Sequence, residues 1–369
     1  MVRHTRLFLS VITVAVLHAA VEVPFASGAA DNACTRRAVG ESLCPELFLI
    51  GFQKAGSTAL WFYLTYEKGH LGLKYAQGLP ADDHKEIHFF DSKYASGIEW
   101  YASMYGTRNT TDEISMDATP DYTRVPQVPA RIQKELIPDR CRFIVSIRDP
   151  VTRAYSWYKH IHAVFLQQDD YDTALQPFGY KFSLMVKYVV PQVLRCIESS
   201  ENANDVHGNC GYQSAYFHGR HIEIEETGLE TQLFGLASSP FSDSLYGYIL
   251  LHWFKYFNPQ QFCVVVYEDL LDNFEEEVAF LKPCLSFYGK EVSIWPSEQL
   301  PKLNEQPCES CDKLETFEPE NFREIGADLQ KNFFLTSNEL VRSSLMIFYG
   351  RAQPRRWEDA YDLASPASE

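Results

Sequence analysis

The segment from Gly51 to Thr58 has the composition of an anion-binding loop. Its two glycines, Gly51 and Gly56, let the backbone curl closely around a ligand, and Lys54 supplies a full positive charge. The segment lies between an apolar run and a helix-like run, so the first N–H groups of that helix would point at a bound anion. The sequence therefore predicts a phosphate-binding loop. A glycine-rich turn without a ligand is the structural alternative.

The position of the lysine separates this loop from the Walker A loop of nucleotide kinases. A Walker A loop carries its lysine directly after the second glycine, whereas Lys54 comes two residues before Gly56. Lys54 would thus approach the anion from the opposite side of the loop, and no acidic strand end obviously suits Mg²⁺. A nucleotide kinase is therefore the less favoured interpretation.

A second strand-to-helix junction carries Arg148 and Ser156. Arg148 follows the apolar run Phe143–Ile147, and Ser156 lies on the helix that begins after Pro150. Ligands of open α/β sheets collect at the carboxyl ends of the strands, so both side chains are expected to meet a second anionic group. The chain has a net charge of −16, yet seven basic residues stand against three acidic ones between positions 131 and 159. The sign of the charge therefore reverses locally where an anion is expected.

The segment Lys85–Asp91 offers groups that can accept a proton. Glu86 is the candidate general base, and His88 is its rival because an imidazole titrates near neutrality. A structural ion pair or hydrogen-bonded pair is the alternative explanation for a Glu-x-His motif with apolar flanks.

Short apolar strands that alternate with helices must position these groups. The predicted strands are Leu47–Ile50, Ile114–Asp117 (the weakest), Phe143–Ile147 and Phe262–Val266. The predicted helices are Ser57–Tyr66, Val151–Phe165 and Ser244–Tyr256. Unbroken apolar strands in this order are typical of a parallel sheet covered by helices on both faces. The sequence predicts an α/β fold with a P-loop-like parallel sheet in a single domain.

The two ends of the chain differ in composition from its middle. Residues 1–30 combine a basic start with an apolar run of about 15 residues, which predicts a signal peptide or a short type II membrane anchor. Residues 31–45 form a stem or linker, 46–350 the domain and 351–369 a tail that is expected to be frayed from Trp357. The triplet Asn109-Thr110-Thr111 is an N-glycosylation sequon, which agrees with entry into the secretory pathway.

The nine cysteines indicate an oxidising compartment. Six lie in polar, loop-like sequence where oxidised pairs are usual: Cys34, Cys44, Cys196, Cys210, Cys308 and Cys311. A Cys196–Cys210 disulfide would close a polar loop, whereas Cys141 and Cys263 adjoin apolar strands and are predicted to be buried thiols. Cys308 and Cys311 form either a tight disulfide or a redox or zinc half-site, and a single C-x-x-C without a partner pair is weak evidence for a metal.

With these motifs in order, the chain resembles the sulfotransferases that use 3′-phosphoadenosine 5′-phosphosulfate (PAPS), and most closely the Golgi heparan sulfate N- and O-sulfotransferases. The matching segments are QKAGSTAL at the loop, KEIHFFD, RDPVTRAYSWY, and a helix and strand that end in YEDL, over residues 46 to 285. The chain departs from the resemblance at Asp117–Tyr122, where many relatives carry a lysine, and in having no evident basic loop near its C-terminus.

The resemblance implies a PAPS-dependent transfer of a sulfuryl group to a hydroxyl or amine of a glycan, with no metal required. The implied ligands of the 5′-phosphate are Lys54, Ala55, Gly56, Ser57 and Thr58. Arg148 and Ser156 would hold the 3′-phosphate, and Tyr246 would lie near the nucleotide. Lys54 would also stabilise the leaving oxygen, and Glu86, or its rival His88, would take the acceptor proton. The implied location is the Golgi lumen as a type II membrane protein, or secretion.

A non-catalytic glycan- or nucleotide-binding protein on the same scaffold is the competing hypothesis. The excess of 49 acidic over 33 basic residues argues against nucleic acid as a partner, and it favours an acceptor that is neutral or lightly charged. The alternating aromatic residues Phe178, Tyr180 and Phe182 are either the packed face of a strand or a platform for sugar rings.

Overall fold

The computed structural model describes residues 31–65, 73–76, 85–165, 175–211, 214–218, 220–232, 237–289, 314–317, 319–351 and 356–361. The chain divides into two compact units. Within the described ranges, the sheet unit comprises residues 31–148 and 253–289, and the helical unit comprises residues 149–252 and 314–361.

The sheet unit contains a four-stranded parallel sheet of order β2–β1–β3–β6. Its strands are β1 (Leu47–Gly51), β2 (Met116–Asp117), β3 (Arg142–Ile147) and β6 (Phe262–Val266). Its helices are α1 (Ser57–Thr65), α2 (Ile98–Ser103), α3 (Val128–Glu135), α9 (Tyr267–Asp272), α10 (Phe274–Val278) and α11 (Lys282–Ser286). The predicted parallel sheet with flanking helices is confirmed, and the strand predicted as the weakest is the shortest of the four.

Alternation along the strands gives the sheet two different faces. Leu47 and Leu49 of β1 pack with Leu60 of α1 in an aliphatic cluster. Phe143 of β3 points to the opposite, aromatic face, where its ring centroid lies 5.6 Å from that of Phe48 and 4.8 Å from that of Phe262. Trp253 and Phe257 cover this face, with centroids 5.3 and 4.6 Å from that of Phe143. Side chains therefore bury both faces, which explains why the strands are apolar throughout.

The helical unit is built mainly from helices and carries one β-hairpin. Its helices are α4 (Pro150–Phe165), α5 (Phe182–Ser199), α6 (Val206–Cys210), α7 (Ser239–Ser242), α8 (Tyr246–Trp253, whose last residue belongs to the sheet unit), α12 (Pro319–Leu329) and α13 (Leu335–Tyr349). The hairpin pairs β4 (His221–Ile224) with β5 (Leu229–Gln232). Arg153 on α4 is fully buried and donates to the carbonyl of Ser239 at 3.3 Å and to Ser244 Oγ at 3.2 Å. This guanidinium therefore ties α4 to the start of α7 and to the segment just before α8.

Two expectations about the helical unit are wrong. Phe178 and Phe182 do not lie on a strand: they belong to a 3₁₀ turn and to α5, and both are fully buried. A buried ring cannot stack on a sugar, so these two residues are part of the core.

The second wrong expectation concerns the tail: its described residues 356–361 are not frayed but pack onto the rest of the helical unit. Trp357 is 3% exposed, and the Tyr361 hydroxyl donates to Asp149 Oδ1 at 3.1 Å.

Among the described residues, the structure confirms the predictions for Cys196, Cys210 and Cys141, with one exception among the cysteines. A disulfide joins Cys196 to Cys210, as predicted, and another joins Cys34 to Cys44, a pairing that the sequence did not specify. Cys141 is a buried thiol, as predicted, and burial raises its pKa. The exception is Cys263, which forms a disulfide with Cys284 of α11. Helix α11 packs against β6 and brings the two Cα atoms to 6.1 Å, within the range that a disulfide spans.

Several sequence predictions fall on residues outside the described ranges. These are the N-terminal signal or anchor in residues 1–30 and the Cys308–Cys311 pair. Among the described residues, no helix has both the length and the apolar composition needed to cross a bilayer.

Candidate active site

The predicted anion-binding loop connects β1 to α1 in a tight curl. Lys54 and Gly56 have positive φ angles of 66° and 81°, and a Cβ on Gly56 would lie 2.4 Å from Cδ2 of Tyr267. Only glycine fits at this position, because both the backbone conformation and the neighbouring ring exclude a side chain. Ser146 of β3 fixes the loop further, since its Oγ donates to the carbonyl of Ala55.

Helix α1 begins at Ser57, directly after the curl. The first intrahelical bond runs from the Leu60 N–H to the Gly56 carbonyl at 3.0 Å. The preceding N–H groups at the helix N-terminus are those that an α-helix cannot satisfy within itself. Together with the Thr58 hydroxyl, which is half-buried, they can bind the oxygens of a phosphate.

Arg148, at the end of β3, lies against the same loop. Its Nη1 donates to the carbonyl of Lys54 at 3.2 Å, and its Cζ lies 5.0 Å from the ring centroid of Tyr267. Its Nε is 3.9 Å from a carboxylate oxygen of Glu268. The strand ends of β1, β3 and β6 therefore meet where the sequence predicts the nucleotide, and they bring Arg148 next to Lys54.

Glu86 lies between two cations. Its Oε1 is 2.6 Å from Nζ of Lys85, and its Oε2 is 3.4 Å from Nε2 of His88. Burial disfavours the charged carboxylate, but the hydrogen bonds from His88 and Lys85 outweigh it and lower the pKa of Glu86 to about 2. Glu86 is therefore ionised at neutral pH and can accept a proton, although its proton affinity in this state is low.

His88 is a cation in this arrangement. Its Nδ1 lies 2.7 Å from Asp91 Oδ2 and 4.0 Å from Asp121 Oδ2. Burial lowers the pKa of His88, but the bonds to Asp91 and Glu86 more than compensate and raise it to about 10. An imidazolium has no lone pair for a proton or a metal ion. At neutral pH the raised pKa favours the protonated ring, so His88, Asp91 and Asp121 form an ion cluster in this structure. The role of His88 in the reaction stays a prediction.

Lys85, a residue without a role predicted from the sequence, connects Glu86 to the anion-binding loop. Its Nζ donates to Thr58 Oγ1 at 3.0 Å as well as to Glu86. The available signal was its position, directly before the candidate base. Only the fold shows that the side chain reaches α1.

The structure also reveals a buried carboxylate behind the ion cluster, Asp117. It accepts hydrogen bonds from Thr119 Oγ1 at 2.6 Å and from the hydroxyls of Tyr122 and Tyr101 at 2.7 and 2.8 Å. Burial raises the pKa of Asp117 to about 6 despite these bonds. Thr119 in turn accepts the N–H of His88 at 3.4 Å. Asp117 therefore anchors, through Thr119, the backbone that holds His88.

Comparison with known proteins identifies the family of this chain. The family model of the sulfotransferase domain matches residues 45–337. The chain belongs to the sulfotransferase family.

Curated sulfotransferases share parts of this chain. It is 30% identical over 165 residues to the membrane-associated sulfotransferase kil1 of Dictyostelium discoideum, covering 44% of this chain and 32% of that protein. It is 34% identical over 119 residues to heparan sulfate glucosamine 3-O-sulfotransferase 3B1 of Homo sapiens, covering 32% and 27%. It is 29% identical over 157 residues to bifunctional heparan sulfate N-deacetylase/N-sulfotransferase 4 of Mus musculus, covering 42% and 16%. The matches thus span about a third or less of these relatives.

A solved sulfotransferase from Alicyclobacillus acidocaldarius is 15% identical to this chain, with a TM-score of 0.45, and covers 83% of this chain and 96% of its own.

Two residues that are predicted to contact the nucleotide, Ser156 and Tyr246, lie in the helical unit. Ser156 is half-buried on α4, and Tyr246 is fully buried at the start of α8, with its ring centroid 6.2 Å from that of Trp357. The other site residues, Lys54, Ala55, Gly56, Ser57, Thr58, Glu86, His88 and Arg148, all belong to the sheet unit. The roles of Ser156 and Tyr246 remain predictions.

Proposed function

We propose that this chain transfers a sulfuryl group from PAPS to a hydroxyl or amine of a glycan. One observation supports the proposal most strongly: Lys85 links the phosphate-binding helix α1 to an ionised carboxylate, through contacts of 3.0 Å to Thr58 and 2.6 Å to Glu86. A donor bound at α1 would therefore have a proton acceptor beside it. Membership of the sulfotransferase family favours this chemistry over that of a nucleotide kinase.

The residues of the loop are suited to the donor. The curl at Gly56 and the free N–H groups of α1 would hold the 5′-phosphate, with hydroxyls from Ser57 and Thr58. Lys54 would stabilise the negative charge that develops on the oxygen leaving the sulfur. Arg148, with Ser156, would hold the 3′-phosphate, and Tyr246 would lie near the nucleotide.

Transfer requires little covalent work from the protein. The acceptor oxygen or nitrogen attacks sulfur, the bond from sulfur to the phosphate oxygen breaks, and the acceptor proton passes to Glu86. Positioning and charge stabilisation supply most of the rate in such reactions. At neutral pH His88 contributes as a fixed cation that orients Glu86.

The acceptor is proposed to be a glycosaminoglycan or related glycan. Two of the relatives described above carry heparan sulfate in their names, and the net charge of −16 favours an acceptor of low sulfation. We place the enzyme in the secretory pathway, in the Golgi lumen or secreted, because its disulfides require an oxidising compartment. Residues 1–30 would be the signal or anchor, 31–45 the stem, 46–350 the domain and 351–369 the tail.

A transfer screen tests the proposal. Purified protein is incubated with PAPS and with desulfated heparan, chondroitin, dermatan or simple sugars, and the products are analysed by mass spectrometry. The proposal predicts an increase of one sulfate mass on at least one glycan. A protein that binds glycan and PAPS but transfers nothing to any of them would be a binding protein, and the proposal would be wrong.

A further inference from the structure

Lys85 joins two parts of the site that the proposed reaction uses separately. Its Nζ contacts Thr58 Oγ1 on α1 and Oε1 of Glu86, at 3.0 and 2.6 Å, and its side chain is only 12% exposed. An ammonium has three N–H donors, so Lys85 retains one for a further acceptor at the same place. An oxygen of a bound phosphosulfate beside Thr58 would be such an acceptor.

Two cations hold Glu86 in a state poorly suited to accepting a proton. Lys85 engages one of its oxygens and His88 the other. A general base works best when its pKa is near the working pH, whereas these two cations keep the pKa of Glu86 at about 2. His88 is fixed by Asp91, with Asp121 beside it. Lys85, in contrast, also contacts Thr58, at the end of the phosphate-binding loop where PAPS would bind.

We propose that Lys85 is a positioning residue that couples donor binding to the release of Glu86. The phosphosulfate group draws the ammonium away from Oε1 of Glu86, and this oxygen becomes available for the acceptor proton. No covalent bond changes in this step. The inference rests on the proposed function, because it needs PAPS at α1. It predicts that the donor binds before the acceptor reacts.

Proton uptake on donor binding tests the coupling. As Lys85 leaves Glu86, the pKa of the carboxyl rises, so wild-type protein at pH 5 should take up a fraction of a proton when it binds PAPS without acceptor. Calorimetry in two buffers of different ionisation enthalpy measures this uptake. The 3′-phosphate of PAPS can also change its protonation, but that contribution is common to all variants, and the difference between variants reports on Glu86.

Three variants make the measurement decisive. Lys85→Met and Glu86→Gln should both lose the extra uptake, the first because the ammonium is gone and the second because the carboxylate is gone, while Lys85→Arg should keep it. Equal uptake in wild type and Glu86→Gln would overturn the coupling, and this comparison stands even if Lys85→Met does not fold. Failure of the wild type to bind PAPS would instead contradict the proposed function.

An independent observation concerns the exposed turn at Asn109. The triplet Asn109-Thr110-Thr111 is the only Asn-x-Ser/Thr sequence in the chain, and all three residues are exposed. Nδ2 of Asn109 donates to Glu113 Oε1 at 3.2 Å, which uses one of its two N–H bonds. N-glycosylation replaces a single N–H, so this contact can survive the modification. The disulfides in the described residues indicate the compartment where such transfer occurs.

We infer that Asn109 carries an N-linked glycan. A lipid-linked oligosaccharide diphosphate would supply the sugar: Nδ2 forms the bond to the anomeric carbon, and the lipid diphosphate leaves with the displaced proton. The full chain, expressed in a eukaryotic secretory host, should shift on a gel after treatment with peptide N-glycosidase F. The shift should vanish in Asn109→Gln and Thr111→Ala and persist in Thr111→Ser. No shift in secreted wild-type protein would overturn the inference.

Discussion

The charge of His88 makes a specific prediction about stability and pH. The ring lies between Asp91, at 2.7 Å, and Glu86, at 3.4 Å. Burial lowers the pKa of His88, but these carboxylates raise it from the ordinary 6.5 to about 10. The folded protein therefore binds this proton more tightly than the unfolded chain does, and His88 stabilises the fold as long as the proton is bound in the native state.

The magnitude follows from the shift. A rise of about 3.5 pKa units corresponds to about 5 kcal/mol at about 1.4 kcal/mol per unit. The pair between His88 and Glu86 also lowers the pKa of Glu86, so the stabilisation from the two pKa shifts is counted once. Partial solvent screening of His88 reduces the expected stabilisation to about 2–3 kcal/mol. This contribution is fully present below pH 6.5 and is lost as the pH rises through about 10.

Urea denaturation of wild type and His88→Gln at pH 5 to 10.5 measures the effect. The difference in free energy of unfolding should be largest below pH 6.5 and should shrink by about 2–3 kcal/mol towards pH 10.5. His218→Gln, at an exposed histidine of the helical unit, serves as a matched substitution outside the ion cluster. If the difference for His88→Gln stayed constant from pH 5 to 10.5, His88 would not be the cation described here.

Two further predictions concern the loop and a disulfide. Gly56→Ala should abolish PAPS binding in a donor titration, because its Cβ would lie 2.4 Å from Tyr267, whereas Gly106→Ala has a similar φ of 74° but nothing within 4 Å, and should leave donor affinity unchanged. The double variant Cys196→Ser/Cys210→Ser should lower the free energy of unfolding by about 3 kcal/mol in urea denaturation, because the disulfide closes a loop of about 15 residues.

The sheet could be predicted because a parallel sheet imposes its pattern on the sequence. Phe143–Ile147 and Phe262–Val266 are apolar at every position, as strands buried on both faces must be, and the structure places both in the sheet. The loop at Gly51–Thr58 could be predicted for a similar local reason, since its glycines and hydroxyls stand directly between a strand and a helix.

The features that sequence analysis missed are contacts between distant segments. Cys263 was predicted to be a free thiol because its neighbours are apolar, but its pairing depends on how α11 packs against β6. Trp357 lies in polar sequence without the spacing of apolar residues that predicts a buried helix face. Its side chain is buried because it packs against the rest of the helical unit. Lys85 likewise gains its importance from Thr58, which is 27 positions earlier in the chain.

The protonation states at Glu86 also required the structure. The sequence places a carboxylate and an imidazole two positions apart and leaves open which one accepts a proton. Asp91 lies 2.7 Å from Nδ1 of His88 and helps to raise the pKa of that ring to about 10, which favours Glu86 as the proposed proton acceptor. The choice between two candidate bases thus depends on a third residue whose role the spacing alone does not reveal.

Transfer of ³⁵S from labelled PAPS to a desulfated glycan, compared between wild type, Glu86→Gln and Lys54→Ala, tests the central claim most directly. The wild type should transfer the label, and Glu86→Gln should lose about 10² to 10⁴ in rate, because it removes the proton acceptor and keeps the shape of the side chain. Lys54→Ala should lose transfer as well, with folding confirmed by urea denaturation. Full activity in either variant would contradict the assignment of the site.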